Sequence, residues 1–182
     1  MDAYIARLVQ KGYKVAICEQ MEDPALAKGL VERDITRIIT PGTVTESCML
    51  EERKNNYMGC VFGQSGQFGL AFCDLSTGAF FATTCSDPRA VASELGRFTP
   101  SEVLRFGQGV EDEAISDVLF RRLSCCVDEG KAEDFDFEKA CTCLESHFGR
   151  SVEELGLASF SAALTGPVSY THLRAHETGA YL

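Results

Sequence analysis

Apolar and polar residues alternate in two short runs near the start of the chain, and this period of two predicts a β-strand for each run. In the second run, Val31, Ile35 and Ile39 fall on one side of the predicted strand. The predicted elements are a helix over 2–11, a strand over 13–20, a short helix over 25–28 and a strand over 31–39. A unit of about 43 residues is too short to bury a large core alone.

A second pattern begins after a polar stretch at 45–56. Three strand-like runs joined by turn-forming residues come first, and helices then alternate with short strands. The predicted elements are strands over Tyr57–Phe62, Phe68–Leu75 and Ala79–Thr84, a helix opened by Asp87-Pro88, a strand over Val103–Phe106, a helix over 111–121, a strand over Leu123–Val127 and a helix over 134–148. This order is typical of a ribonuclease-H-like α/β domain, which we predict over 45–165 after a partial α/β domain over 1–44.

The last part of the chain, 166–182, follows neither period. It contains the string YTHLRAHET (170–178), which resembles translated sequencing-adapter DNA. We therefore predict that this tail is not native, and its two histidines are not candidate functional residues.

Charge is distributed unevenly along the chain. The net charge is −10, yet residues 1–40 carry six acidic and six basic side chains. All of the excess lies in 41–182, which has 21 acidic and 11 basic residues. Because each phosphate contact needs a Lys or Arg, this acidic part is a poor candidate for binding duplex DNA by charge and a better one for contact with protein. The neutral first part can face an anionic partner more easily.

Nine cysteines occur in the chain. Asp2, Arg7 and Lys11 interrupt any apolar stretch at the start, so no signal peptide is predicted, and no membrane span is predicted either. We therefore expect a cytoplasmic protein whose thiols are reduced and packed as small apolar side chains. No Cys-x-x-Cys pair occurs, which excludes the common zinc-ribbon and thioredoxin motifs.

Asp74 ends a predicted strand and is the one candidate for a metal-binding carboxylate of a nuclease. The neighbouring predicted strands, 57–62 and 103–106, contain no second acid. We therefore expect Asp74 to bond the backbone of the following turn, 76–78.

Other catalytic and metal-binding patterns are weak. Cys141, Cys143 and His147 share one predicted helix, but side chains two apart on a helix diverge and do not reach one ion. Neither a phosphate-binding glycine loop nor a nucleophile elbow occurs. We predict no catalytic residue, no cofactor site and no metal site in this chain.

Three basic side chains of the neutral first part are candidates for contact with a DNA backbone: Arg33, Arg37 and Lys28. Arg33 and Arg37 are four residues apart on a predicted strand, so we expect both to project from one face. Phosphate contact and simple solvation both stay open for these charges.

Several runs resemble the MutS mismatch-repair family and occur in that family's order. They are GYKVAICEQ (12–20), EDP (22–24), KG followed by VER (28–33), RIITPGT (37–43), LEERKNNY (50–57) and DLSTGAF (74–80), with weaker similarity in ELGRFTPSEVL (94–104) and GLASFSAALTG (156–166). The resemblance implies that 1–44 is the second half of the mismatch-recognition domain and that 45–165 is the connector domain.

The resemblance also implies what lies elsewhere. The family's mismatch-reading motif, Gly-x-Phe-Tyr-Glu, has no counterpart here, and neither do its clamp, lever and ATPase domains. We therefore expect Met1 to be an internal methionine and the chain to be a fragment that serves as scaffold and connector. By resemblance, the parent protein binds mispaired duplex DNA as a homodimer, uses ATP and Mg²⁺, and recruits MutL through the connector.

Two other classes of function stay open. A ribonuclease-H-like, metal-dependent nuclease fits the predicted order of elements, and the shortage of strand acids argues against it. A stand-alone protein-interaction domain fits the acidic balance of 41–182.

Overall fold

The computed structural model describes residues 2–22, 29–44, 55–132 and 135–154. We refer to residues 2–44 as the N-terminal block and to residues 55–154 as the sheet domain. The predicted helix over 25–28, the candidate Lys28 and the tail over 166–182 lie outside the described residues.

The N-terminal block consists of one helix and a two-stranded antiparallel sheet. Its elements are α1 (Asp2–Gln10), β1 (Val15–Gln20) and β2 (Arg33–Ile39). These bounds confirm the predicted helix and both predicted strands. The block has a small apolar core formed by Ile5, Val9, Ile39 and Val44, with Val15 and Ile17 packed against it.

The pairing of β1 with β2 contains a β-bulge. Two consecutive residues of β1, Ile17 and Cys18, lie opposite Arg37 and Ile35, so Thr36 between them has no partner residue. An extra residue on one strand reverses the alternation of its side chains from there on. Residues 37 and 39 therefore lie on one face of the sheet, whereas residues 33 and 35, beyond the bulge, lie on the other face.

Because of the bulge, Ile35 and Ile39 lie on opposite faces of the sheet, although the period of two predicts that they share a face. Ile39 faces α1 and is 1% exposed, whereas Ile35 lies on the other face of the sheet and is 53% exposed. The expectation that both lie on one side of the strand is wrong, because the bulge falls between them.

The sheet domain is built on a five-stranded mixed sheet. Its strands are β3 (Met58–Gln64), β4 (Gln67–Asp74), β5 (Ala79–Cys85), β6 (Glu102–Gly107) and β7 (Cys126–Glu129), in the spatial order β5-β4-β3-β6-β7. β4 is antiparallel to both of its neighbours, while β6 is parallel to β3 and β7 is parallel to β6. This arrangement confirms the predicted α/β fold with a ribonuclease-H-like strand order.

Apolar side chains cover both faces of this sheet. On one face, helix α2 (Pro88–Phe98) and α3 (Glu113–Ser116) pack against the strands. Asp87 begins α2 by accepting hydrogen bonds from the backbone of Arg89 and Ala90. The other face carries a cluster of Met58, Cys60, Phe62, Leu104 and Phe135. Helix α4 (Phe137–Phe148) follows Asp136, which caps it in the same way.

Most element boundaries lie within a few residues of the sequence predictions, and three differences affect the fold or the site. The predicted helix over 111–121 is a single α-turn that continues as a π-helical segment, Asp117–Arg122. β7 begins at Cys126, because Ser124 has a left-handed backbone with φ of 49° and interrupts the predicted strand. β6 begins at Glu102, one residue earlier than predicted, which brings an acidic residue into the sheet. No helix in the described ranges is long and apolar enough to cross a membrane.

Candidate functional site

The two described arginine candidates do not share a face of the sheet. Arg33 lies opposite Gln20 and Arg37 lies opposite Ile17, and these two partners are three residues apart on β1. Because residues three apart on a regular strand point to opposite faces, so do Arg33 and Arg37. The expectation that both project from one face is wrong, and the bulge is the reason. Arg33 is exposed and Arg37 is partly covered on the side of α1.

Asp74 is fully buried at the end of β4. Its Oδ1 accepts hydrogen bonds from the Ser76 backbone N–H at 2.9 Å and the Ser76 hydroxyl at 2.6 Å. The expected bond from Asp74 to the following turn is therefore present. Its Oδ2 accepts a bond from the Asn56 backbone N–H at 3.3 Å, which the sequence did not suggest. The carboxylate thus holds two chain segments at one end of the sheet.

Glu102 is the second buried acid at this end of the sheet, and it is also fully buried. One oxygen, Oε2, accepts a hydrogen bond from the Thr40 hydroxyl and another from the Gly42 backbone N–H at 3.0 Å. Both donors belong to the N-terminal block. A buried carboxylate is tolerated only when hydrogen bonds replace its hydration, so these donors are part of what keeps Glu102 inside.

Asn56 links Asp74 and Ser101, the neighbour of Glu102, to the same turn of the block. Its side-chain amide donates to the Pro41 carbonyl at 2.9 Å, and its amide oxygen accepts from the Ser101 hydroxyl at 2.6 Å. Within the turn, the Thr40 backbone N–H donates to the Thr43 hydroxyl at 2.9 Å. We call this network the polar junction; it consists of Thr40, Pro41, Gly42, Thr43, Asn56, Asp74, Ser76, Ser101 and Glu102.

Gly42 is pressed against the sheet domain. A Cβ atom built on it lies 3.0 Å from both Cβ and Oε2 of Glu102 and 3.1 Å from the Cβ of Met58. These distances are shorter than ordinary van der Waals contact, so only a residue without a side chain fits without displacement. Gly42 does not have a positive φ, and the requirement for glycine is one of space alone.

A second contact between the two parts lies at the surface. Lys14 of the block forms an ion pair with Asp128 on β7, and the side chains are 35% and 23% exposed. Lys14 directly precedes β1, whose first residue pairs with Ile39 at the end of β2. The ion pair and the polar junction therefore lie at the same end of the two-stranded sheet.

Three thiols of the sheet domain have a raised pKa, which makes them poor nucleophiles at neutral pH. Burial raises the pKa of Cys73 to about 11, with a further contribution from the Asp74 charge, and burial raises the pKa of Cys125 to about 12. Burial also raises the pKa of Cys60. In the described part of the chain, no group of three or more His, Cys, Asp or Glu side chains is arranged to hold a metal ion.

Comparison with known proteins places this architecture in a family. The profile of MutS domain I matches residues 1–48, and the profile of MutS domain II matches residues 56–173. The chain belongs to the MutS family. The DNA mismatch repair protein MutS of Acetivibrio thermocellus is 48% identical over 141 residues, which are 76% of this chain and 16% of that protein.

Other MutS proteins give the same result. The mismatch repair protein MutS of Ruminiclostridium cellulolyticum is 41% identical over 86% of this chain and 19% of its own length, and that of Methanothrix thermoacetophila is 55% identical over 57% and 12%. The chain thus spans less than a fifth of the length of the curated relatives it matches.

The runs that resemble MutS meet at the polar junction. RIITPGT supplies the turn at 40–43, KNNY supplies Asn56, and DLSTGAF supplies Asp74 and Ser76. Sequence reasoning did not single out Glu102, because it was placed just outside a strand. The pair Ser101-Glu102 directly before the apolar run VLRF was the available signal, since a buried strand seldom begins with a charge that lacks a partner.

Proposed function

We propose that this chain is the scaffold and connector part of a DNA mismatch repair protein. In this proposal the N-terminal block is the second half of the mismatch-recognition domain and the sheet domain is the connector. The observation that carries the proposal is the succession of the two MutS domain matches, 1–48 and 56–173, in a single chain. The polar junction supports it, because it joins the two matched regions physically.

The partners follow from the same proposal. Mispaired duplex DNA is bound by the whole protein, which acts as a homodimer, and MutL is bound through the connector. The charge distribution supports this division, since the acidic excess lies in 41–182 while residues 1–40 are neutral. Acidic surface repels DNA phosphates and does not hinder contact with a protein. Arg33, Arg37 and Lys28 are the DNA-backbone candidates in the block.

Enzymatic activity in this proposal belongs to the whole protein. ATP and Mg²⁺ are bound by its ATPase domain, and this chain supplies scaffold without a catalytic residue, a cofactor or a metal. The nuclease alternative finds no support in the relatives, and both buried acids at the end of the sheet already accept hydrogen bonds from neighbouring groups.

A chimeric protein tests the proposed role. Residues 1–154 of this chain replace the matching segment of the Acetivibrio thermocellus relative, and the purified chimera is assayed for binding to a G·T duplex, for ATP hydrolysis and for MutL capture. We expect all three activities to persist, because the segment carries the same two domains.

Two controls are needed to interpret the activities of the chimera. The unmodified relative sets the reference level, and the relative with the segment deleted is expected to lose mismatch binding. A chimera that folds but neither prefers G·T to fully paired duplex nor captures MutL would contradict the proposed scaffold and connector role.

A further inference from the structure

The two parts of the chain meet through polar groups. The apolar cluster of the N-terminal block, as far as its residues are described, contains only block residues, and the two described clusters of the sheet domain contain only sheet-domain residues. Among the described residues, the polar contacts that cross between them include hydrogen bonds to Glu102, a hydrogen bond from Asn56 and the Lys14–Asp128 ion pair.

Polar contacts and apolar contacts constrain two bodies differently. Apolar burial is strong but non-directional, so it permits sliding and rotation. Hydrogen bonds to a buried carboxylate need particular distances and angles, and they are lost together once the donors leave. Because such a contact consists of polar groups, opening it exposes little apolar surface. Water can then hydrate the released carboxylate and its donors.

We propose that the Glu102 carboxylate and the turn Thr40–Thr43 form a polar latch that fixes the orientation of the N-terminal block on the sheet domain. Glu102 is the positioning residue, and the Thr40 hydroxyl and the Gly42 N–H are the groups that it holds. With the latch closed the two parts move as one body, and with the latch open they reorient independently. The latch concerns the chain's own architecture and does not depend on mismatch recognition or MutL binding.

Nuclear relaxation of backbone ¹⁵N in the whole 182-residue chain measures this directly. Rotational correlation times are obtained separately for amides of β1–β2 and of β3–β4. For the unmodified chain we expect the two values to agree. Hydrogen exchange of the Gly42 amide provides a local readout, because that N–H donates to Glu102.

The first variant is Gly42→Ala, which places a methyl group 3.0 Å from Glu102 and wedges the turn away from it. We expect the correlation time of the block to fall by roughly twofold or more, because tumbling time scales with the cube of the radius of the moving body. Exchange of the amide at position 42 should accelerate at least tenfold. Gly29→Ala is the matched control, since Gly29 has open space around it and also lacks a positive φ.

The second pair of variants acts from the sheet domain. Glu102→Met removes the acceptor while keeping an unbranched side chain, and we expect it to reproduce the effect of Gly42→Ala. Glu102→Gln retains an oxygen that can accept both donors, so its relaxation should stay close to that of the unmodified chain. A residue that merely stabilised the sheet would change the denaturation midpoint without separating the two correlation times.

Several outcomes would overturn the latch. One is a difference between the two correlation times in the unmodified chain. Another is equal correlation times in Gly42→Ala and Glu102→Met when both parts remain folded. If Glu102→Met unfolds the sheet domain, Gly42→Ala and Thr40→Val decide the question, because both changes lie outside the sheet.

Discussion

Strands in the two parts of this molecule differ in their exposure to solvent. In β3 the first six of seven residues are buried, whereas β1 has no buried residue and four of its six residues are exposed. β3 lies between two strands and has apolar clusters on both of its faces, while in the described part of the chain β1 pairs with β2 and packs beside α1. The sheet domain therefore has a hydrophobic core of its own. The stability of the block depends on a small apolar cluster and on contacts with the sheet domain.

Different interactions therefore determine the stability of the sheet domain and the orientation of the block on it. The sheet domain is held by apolar burial, which contributes most of the free energy of folding in proteins. The described hydrogen bonds and ion pair between block and sheet domain are polar contacts, which contribute little net stability but high geometric specificity. Substitutions in the two parts should therefore have effects of different size and different reach.

The largest effect is expected in the core of the sheet domain. Phe72 is 1% exposed and its ring stacks on Phe98 with centroids 4.1 Å apart. We expect Phe72→Ala to lower the free energy of unfolding by about 3–5 kcal/mol, measured by urea denaturation followed by circular dichroism. The control is Phe120→Ala, because Phe120 is 51% exposed and its loss should cost below about 1 kcal/mol. Equal losses in the two variants would mean that the burial pattern misplaces the core.

A smaller and more local effect is expected in the block. Ile39→Ala should destabilise the block by about 2–4 kcal/mol, because Ile39 is 1% exposed in a cluster of few residues. Amide exchange should accelerate throughout β1 and β2 and stay slow in β3 and β4. Ile35→Ala is the matched control on the same strand; Ile35 is 53% exposed, so the change should stay within about 0.5 kcal/mol. A larger loss for Ile35 would show that the bulge does not turn it outward.

The thiols distinguish the two parts by their response to alkaline pH. Cys73 and Cys125 have pKa values of about 11 and about 12, so the unfolded chain loses these protons near pH 9 while the folded chain retains them. Stability of the sheet domain should therefore fall as pH rises above about 9, by about 1.4 kcal/mol per thiol and pH unit until the folded pKa is reached. Denaturation midpoints at pH 7, 9 and 10 measure this loss.

Alkylation provides the site-resolved check on the same comparison. At pH 8, iodoacetamide should modify the exposed Cys18 of the block before Cys73 and Cys125, as followed by peptide mass spectrometry. If Cys73 reacts as fast as Cys18 in the folded chain, the burial that raises its pKa is absent in solution.

The smallest effect concerns DNA. We expect the isolated chain to bind duplex DNA with a dissociation constant on the order of 10⁻⁴ M or weaker at physiological salt, without preference for a G·T mispair. Because Arg33 and Arg37 lie on opposite faces, we expect a duplex that lies against one face of the two-stranded sheet to contact only one of them. Of Arg33→Gln and Arg37→Gln, one should lower the salt dependence measured by fluorescence anisotropy by about one phosphate contact, and the other should have no effect.

Tight, mismatch-selective binding by the isolated chain would contradict the expectation for DNA. An equal loss in both arginine variants would instead contradict the facial separation that the bulge produces. Lys14→Met serves as a charge-matched control, because Lys14 is paired with Asp128 and is not among the DNA candidates.

Periodicity predicted most elements of the fold because it reports burial, and burial determines which face of a strand is apolar. It could not predict the bulge at Thr36, since alternation is counted by residue and a bulge adds one residue to a single strand. Two predictions are wrong for this one reason: that Ile35 lies on the same side as Ile39, and that Arg33 lies on the same face as Arg37.

Glu102 shows a second limit of sequence reasoning. The apolar run predicts a strand that begins at Val103, and a glutamate before such a run is normally exposed. Its partner N–H, on Gly42, is 60 residues away along the chain, and no local pattern reports such a contact. Asp74, whose partners Ser76 and the following turn are adjacent in sequence, was interpreted correctly for the opposite reason.

The buried Glu102 also bears on how this protein is divided for laboratory work. A cut between residues 44 and 55 leaves the sheet of the excised domain intact and takes away Thr40 and Gly42. The carboxylate then faces water at a place that the intact chain covers, and the excised domain gains an anionic spot on its surface. Binding partners selected with such an excised domain would include basic molecules held by Glu102, a carboxylate that the intact chain keeps buried.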